Sequence, residues 1–210
     1  MVRKHIITIS GKPGSGKSST ADKVADLLGY TRHSSGDMVR TILQRQGMTL
    51  SEYNRQAMDD HTLDTKIDEY LRKFRDRKDV VIDSRLGFYW LPESFKVYLD
   101  LNIQVATVRI YKDAVNNNMR LKSGERVSSL DLVAKQVLTR METEQKRFKN
   151  LYSVDPYNLS HFDLVIDTSR HSPETVALTV FDVYRRWLKT DNWKQETSTV
   201  PLGYSFKNQY

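Results

Sequence analysis

Ile6-Ile7-Thr8-Ile9-Ser10-Gly11-Lys12-Pro13-Gly14-Ser15-Gly16-Lys17-Ser18-Ser19 decides the fold. A short apolar run meets the spacing Gly-x4-Gly-Lys-Ser, and residues 17–28 then carry Ala21, Val24, Ala25 and Leu28 at helical spacing. This predicts strand, phosphate-binding loop and helix in immediate succession. Glycines let backbone amides surround phosphate oxygens, and the start of a helix favours negative charge. Lys17 reaches the terminal phosphates, and the Ser18 hydroxyl is the candidate ligand of Mg2+. The whole loop, Gly11, Lys12, Pro13, Gly14, Ser15, Gly16, Lys17, Ser18 and Ser19, is thus the candidate site for ATP.

The same alternation continues outward. Strands are expected near residues 30–33, 80–83, 95–101 and 162–166, with helices after Asp37, over much of 51–78, over 103–114, and from Leu130 onward. Ser172 and Pro173 predict the N-cap and first residue of a last helix with the stripe Val176, Val180, Tyr184 and Trp187. The expected fold is α/β: a three-layer P-loop NTPase fold with a five-stranded parallel sheet flanked by helices, its active site at the carboxyl ends of the strands. Residues 1–190 are read as one domain, and 191–210 as a tail without a recognisable motif. Residues 116–126, with Asn116-Asn117-Asn118 and Ser123-Gly124, predict a mobile loop and the candidate lid, placed at about 113–129.

At 210 residues the chain suits one compact domain. The 33 Lys and Arg against 26 Asp and Glu give a formal net charge of +7, which favours anionic ligands without choosing among nucleotide, nucleic acid and acidic membrane. No cysteine occurs, which excludes disulfides, thiolate zinc sites and cysteine nucleophiles, and the five histidines lack metal-ligand spacing. Neither a signal peptide nor a long apolar run is present, so a cytoplasmic protein, without membrane and working as a monomer, is expected.

Val80-Val81-Ile82-Asp83 closes a strand on a carboxylate, making Asp83 the second candidate for holding the metal ion or one of its waters. The alternative is a turn cap. Arg85 is placed to clamp a phosphate from the same cleft, or to form a surface ion pair. Ser34-Ser35-Gly36-Asp37 with Arg40 sets hydroxyls, a helix start and a cation where an acceptor phosphate would bind; a plain N-cap by Ser35 or Asp37 is the competing explanation.

These segments together resemble the nucleoside monophosphate kinases, and among them the short cytidylate kinases of the archaeal type. The resemblance runs over about 4–184 and is carried by residues 11–20, 34–40, 50–68 with Tyr53-Asn54, 83–86, 140–155 and 163–169. It implies transfer of the ATP γ-phosphoryl group to CMP or dCMP, with an acceptor-binding region at about 36–78 and with Ser35, Gly36, Asp37, Arg40 and Arg85 falling where the acceptor nucleotide is held. By the same matching, Lys17, Arg85, Arg140 and Arg147 act on the phosphates, Asp155 approaches the acceptor ribose, and Asp64 and Asp68 help read the base. For Asp64 and Asp68 a solvated acidic helix face is the simpler reading. The chain departs from the family at Lys112-Asp113, where an acid replaces a lid arginine; Arg120 or Arg126 is the candidate replacement, with a solvated loop arginine the simpler reading for either one alone.

Two alternatives stand beside this reading. One is a P-loop kinase for UMP, AMP or a nucleoside. The other is a nucleotide-responsive RNA-binding or regulatory protein, which predicts salt-sensitive RNA binding that survives loss of phosphoryl transfer.

Overall fold

A computed structural model of the protein describes residues 3–49, 52–53, 60–116 and 129–199. Strand β1 (Ile6–Gly11) leads through the glycine loop into helix α1 (Lys17–Leu28), followed by β2 (Thr31–Ser34), α2 (Ser35–Arg45) and α3 (Thr62–Arg72). Then come β3 (Val80–Asp83), the single turn α4 (Gly87–Trp90), β4 (Phe95–Asp100) and α5 (Ile103–Asn116). The chain continues with α6 (Leu130–Tyr152), β5 (Leu164–Asp167), α7 (Pro173–Leu188) and β6 (Glu196–Thr199).

All pairings are parallel, in the order β2-β3-β1-β4-β5-β6. The chain leaves β1 first toward β3 and β2 and later toward β4 and β5, so the crevice at the carboxyl end of β1 is the point where an open α/β sheet binds ligands. Side chains alternate across β1. Ile7 and Ile9 pack with Val24, Ala25, Val180 and Tyr184 under α1 and α7, while Ile6 on the opposite face joins Leu71, Phe88, Tyr98 and Phe148. A third cluster of Val39, Leu43 and Tyr53, joined by Leu63 and Ile67, holds α2 to α3 beside the cleft. Among the described residues no helix is long and apolar enough to cross a membrane.

Among the described residues the sheet has six strands where five are expected. The additional strand, Glu-Thr-Ser-Thr, comes from the tail and lacks the apolar alternation by which strands are recognised, because it sits at the edge of the sheet. The tail docks there through Arg186, which donates to both oxygens of Glu196 at 2.7 and 3.0 Å, and through Trp193 against Phe95. Helix α5 extends to Asn116, two residues past its expected end. Of the candidate lid, residues 117–128, with Arg120 and Arg126, lie outside the described residues.

Candidate functional site

The loop after β1 is built around glycine where glycine is required. Gly11 has φ 144°, and a Cβ there would lie 2.2 Å from the carbonyl oxygen of Leu99, so the loop presses on β4 at a distance no side chain allows. Gly14 and Gly16 take left-handed φ of 75° and 83°, turning the chain into the start of α1. Lys17 Nζ folds back to donate to the carbonyls of Gly11 (3.0 Å) and Lys12 (2.9 Å). Enclosure by the protein and the nearby Arg85 charge push the Lys17 pKa well below the usual lysine value, against the opposing pull of Asp83. Ser15 Oγ is buried without a hydrogen-bond partner among the described residues. An ammonium without a carboxylate contact and a buried unpartnered hydroxyl beside a helix N-terminus suit a bound polyphosphate. Lys12 instead turns its side chain away to Asp100, 2.6 Å distant.

Ser18 and Asp83 meet across this loop. Asp83 is buried at the end of β3, and its Oδ2 accepts from Ser18 Oγ at 2.7 Å, from Arg32 Nη2 at 3.1 Å and from Ser34 Oγ at 3.5 Å. A hydroxyl and a carboxylate in contact beside a phosphate loop are the oxygen donors a hard divalent cation takes, directly or through water. Arg32, which the sequence reading did not single out, also approaches Asp22 (3.3 Å) and Asp37 (3.1 Å). A lone arginine in a four-residue strand carries no signal of such a hub.

On the acceptor side, Ser34 rather than Ser35 or Asp37 caps α2, accepting from the Asp37 amide at 3.2 Å. Ser35 is thereby free of the cap and donates to Ser84 Oγ at 3.0 Å. Asp37 and Arg40 are exposed and paired with each other. Burial would raise the Asp37 carboxyl, but Arg40 and Arg32 outweigh it and hold it below the usual range.

Asp64 and Asp68 are not a solvated face. They are 3% and 7% exposed, because the side of α3 that carries them also carries the buried Leu71. Asp64 Oδ1 accepts from Tyr53 Oη at 3.2 Å, while Asp68 accepts from Trp90 Nε1 (2.8 Å) and Tyr152 Oη (2.7 Å). Burial raises both carboxyls above their usual pKa. Arg147, on α6, lies between the rings of Tyr53 and Phe148 with Nε 3.7 Å from Asp64 Oδ2. Its Nε and Nη1 and Asp64 Oδ2 are buried without hydrogen bonds among the described residues.

The arginines expected at the phosphates converge on a residue that sequence reasoning missed. Glu144 Oε2 accepts from Arg85 Nε at 2.7 Å and from Tyr157 Oη at 2.8 Å, and its Oε1 accepts from Arg140 Nε at 2.9 Å. Arg85 Nη1 also donates to the carbonyl of Gly11, bringing the cation to the root of the phosphate loop. A signal was present: Val133, Val137, Glu144 and Phe148 share the buried stripe of α6, and a glutamate on such a stripe needs a buried cation. Ser35, Gly36, Arg40, Asp64, Arg85, Arg140 and Arg147 all line one cleft. Asp155 is outside that lining. Its oxygens accept from Gln145 Nε2 (2.7 Å) and the Tyr157 amide (2.9 Å), so the carboxylate holds the turn after α6.

The model of the cytidylate kinase-like family matches residues 6–170. A cytidylate kinase of Halobacterium salinarum is 33% identical over 181 residues, spanning 84% of this chain and 88% of that protein. One of Natronomonas pharaonis is 30% identical over 204 residues, spanning 96% of this chain and all of the relative. Among solved structures, the shikimate kinase of Bacteroides thetaiotaomicron aligns with a TM-score of 0.59 at 13% identity over 86% of this chain and 98% of its own, a likeness of fold.

Proposed function

The chain belongs to the cytidylate kinase-like family and is a nucleoside monophosphate kinase, and from that premise we propose that it transfers the γ-phosphoryl group of ATP, with Mg2+, to CMP or dCMP, giving CDP or dCDP and ADP. The observation that carries the choice of base is the unsatisfied pair in the acceptor cleft. Among the described residues Asp64 Oδ2 has no hydrogen-bond donor and Arg147 Nε and Nη1 have no acceptor, the two groups standing 3.7 Å apart. The pairing edge of cytosine offers an amine donor beside ring-nitrogen and carbonyl acceptors, which complements that pair. Uracil sets a carbonyl where the amine would be and leaves a buried carboxylate facing an oxygen, a mismatch of the kind that sites discriminate strongly. On this reading Arg147 serves the base, and the phosphates fall to Lys17, Arg85 and Arg140.

Transfer needs alignment and charge stabilisation more than covalent help from the protein. Ser35 and Arg40 hold the acceptor phosphate, whose oxygen attacks the γ-phosphorus as the bond to the ADP oxygen breaks. Lys17, Arg85 and Arg140 stabilise the charge on the moving group. Ser18 and Asp83 would hold the magnesium ion, which supplies further neutralisation of the phosphates when bound. Residues 36–78 form the proposed acceptor region and 113–129 the proposed lid, which would exclude water; a cytoplasmic monomer is the proposed working form.

The test is ADP formation from ATP and Mg2+ with CMP, dCMP, UMP, AMP, GMP and dTMP against a control without acceptor. Preference for CMP or dCMP is expected, and preference for another monophosphate would overturn the base assignment. Arg147→Met should lower kcat/KM for CMP by about 100-fold and compress the CMP-to-UMP ratio; an unchanged ratio would remove Arg147 from base reading.

A further inference from the structure

Within the described site, the guanidinium groups of Arg85 and Arg140 and the Lys17 ammonium are gathered beside the phosphate loop, and the Glu144 carboxylate accepts from both arginines. Glu144 is 5% exposed. Both of its oxygens are used, on Arg85 and Tyr157 through Oε2 and on Arg140 through Oε1. The hydrogen bonds from Arg85 occupy Nε and Nη1, and that from Arg140 occupies Nε. The remaining guanidinium nitrogens face no described protein acceptor at hydrogen-bond distance, which is the arrangement a phosphate would complete.

We propose that Glu144 is a positioning residue for phosphoryl transfer: its carboxylate holds Arg85 against the root of the phosphate loop and Arg140 beside it, with their outer nitrogens left for the phosphates. This rests on the phosphoryl-transfer reading above. The physical need is plain. Two arginines and a lysine at close range repel one another, and long side chains without a fixed partner would have to be ordered at the moment of reaction. A shared carboxylate offsets part of the repulsion and sets both arginine orientations beforehand, as supporting groups do for metal ligands. Tyr157 fixes the carboxylate in turn, by donating to the oxygen that Arg85 uses and by placing its ring 5.9 Å from that guanidinium. The geometry also explains the amino acid. Glutamine would offer an amide nitrogen where one arginine needs an acceptor, and aspartate is one methylene too short to reach both.

Glu144→Gln, assayed at a temperature where circular dichroism shows it folded, is expected to lose about 100-fold in kcat while KM for ATP and for CMP changes less than about threefold. Because Glu144 acts through the arginines, adding Arg140→Met should lower kcat no further than the more damaging single change. Wild-type kcat in folded Glu144→Gln, or losses that multiply in the double variant, would overturn the proposal. Should Glu144→Gln fail to fold, Tyr157→Phe decides: it keeps the charges and removes one donor, and a kcat loss of about three- to tenfold at constant KM is expected, with unchanged kcat counting against the role. Wild-type protein without monophosphate-dependent ADP formation would instead refute the phosphoryl-transfer reading, a distinct outcome.

Discussion

Ser18 Oγ donates a 2.7 Å hydrogen bond to Asp83 Oδ2, tying the first turn of α1 to the end of β3 across 65 positions of chain. Neither residue means much alone. A serine in a helix start and an aspartate closing a strand become a cation site only because β1 and β3 are neighbours in the sheet.

From that pair, Asp83→Asn should keep the fold and lower kcat/KM by about 100-fold, with the deficit partly relieved by raising Mg2+. A titration of Mg2+ in the ADP assay checks this. A Mg2+ requirement identical to wild type would remove Asp83 from the metal site.

Lys17 is held close to carbonyl oxygens with its pKa pushed well down by enclosure and by Arg85. For a lysine whose folded pKa lies below its unfolded value, the charged form is penalised on folding. That penalty is present at neutral pH and lifts as pH rises toward the unfolded value. Lys17→Met should therefore abolish most transfer, by at least about 100-fold, while leaving Tm at pH 7 equal to or above wild type. Its Tm advantage should shrink as pH rises. A lower Tm at pH 7 would show that the ammonium stabilises the free protein.

Glu144 has the opposite sign. Burial alone would raise its carboxyl, but Arg85 and Arg140 outweigh it and hold the pKa well below the usual 4.5. Its stabilising contribution is thus fully present above pH 4.5 and declines as pH falls toward the folded value. Glu144→Gln should cost about 3 kcal/mol at pH 7, the size expected when one partner of a buried pair is lost. Urea melts from pH 8 to pH 3 should show that difference constant down to about pH 4.5 and narrowing below it. A difference that grows in acid would contradict the assignment.

Gly11→Ala would force a Cβ to within 2.2 Å of the Leu99 carbonyl, in a backbone conformation with φ 144°. Both effects push the loop off β4. The change should cost more than about 2 kcal/mol in denaturant melts and weaken ATP binding. Stability equal to wild type would mean that the loop can move away from β4 without loss.

The phosphate loop was legible because its requirements are local. Gly14, Gly16, Lys17 and Ser18 are adjacent in the chain, and backbone freedom, charge and helix start act over eight residues. Helix α1 matched its expected bounds, Lys17–Leu28, and α7 began at Pro173 behind the Ser172 cap, whose side chain accepts from Thr175 at 3.4 Å. Apolar periodicity and capping chemistry are likewise properties of a short stretch. Strand β6 escaped because an edge strand need not be apolar, so its polar residues carried no period.

The residues whose reading changed are those whose partners lie far along the chain. Asp64 and Asp68 are one helical turn apart, a pattern that suits solvent as well as burial, and only the packing of α3 on Trp90, Arg147 and Tyr152 turned them inward. Glu144 became the holder of two arginines because Arg85, 59 positions earlier, arrives from the end of β3. The sequence by itself determined the elements and the phosphate loop, since those follow from neighbours within a turn or two. Tertiary structure alone decided which charges are buried and what each one faces, because desolvation and pairing depend on which distant segments the sheet order brings together.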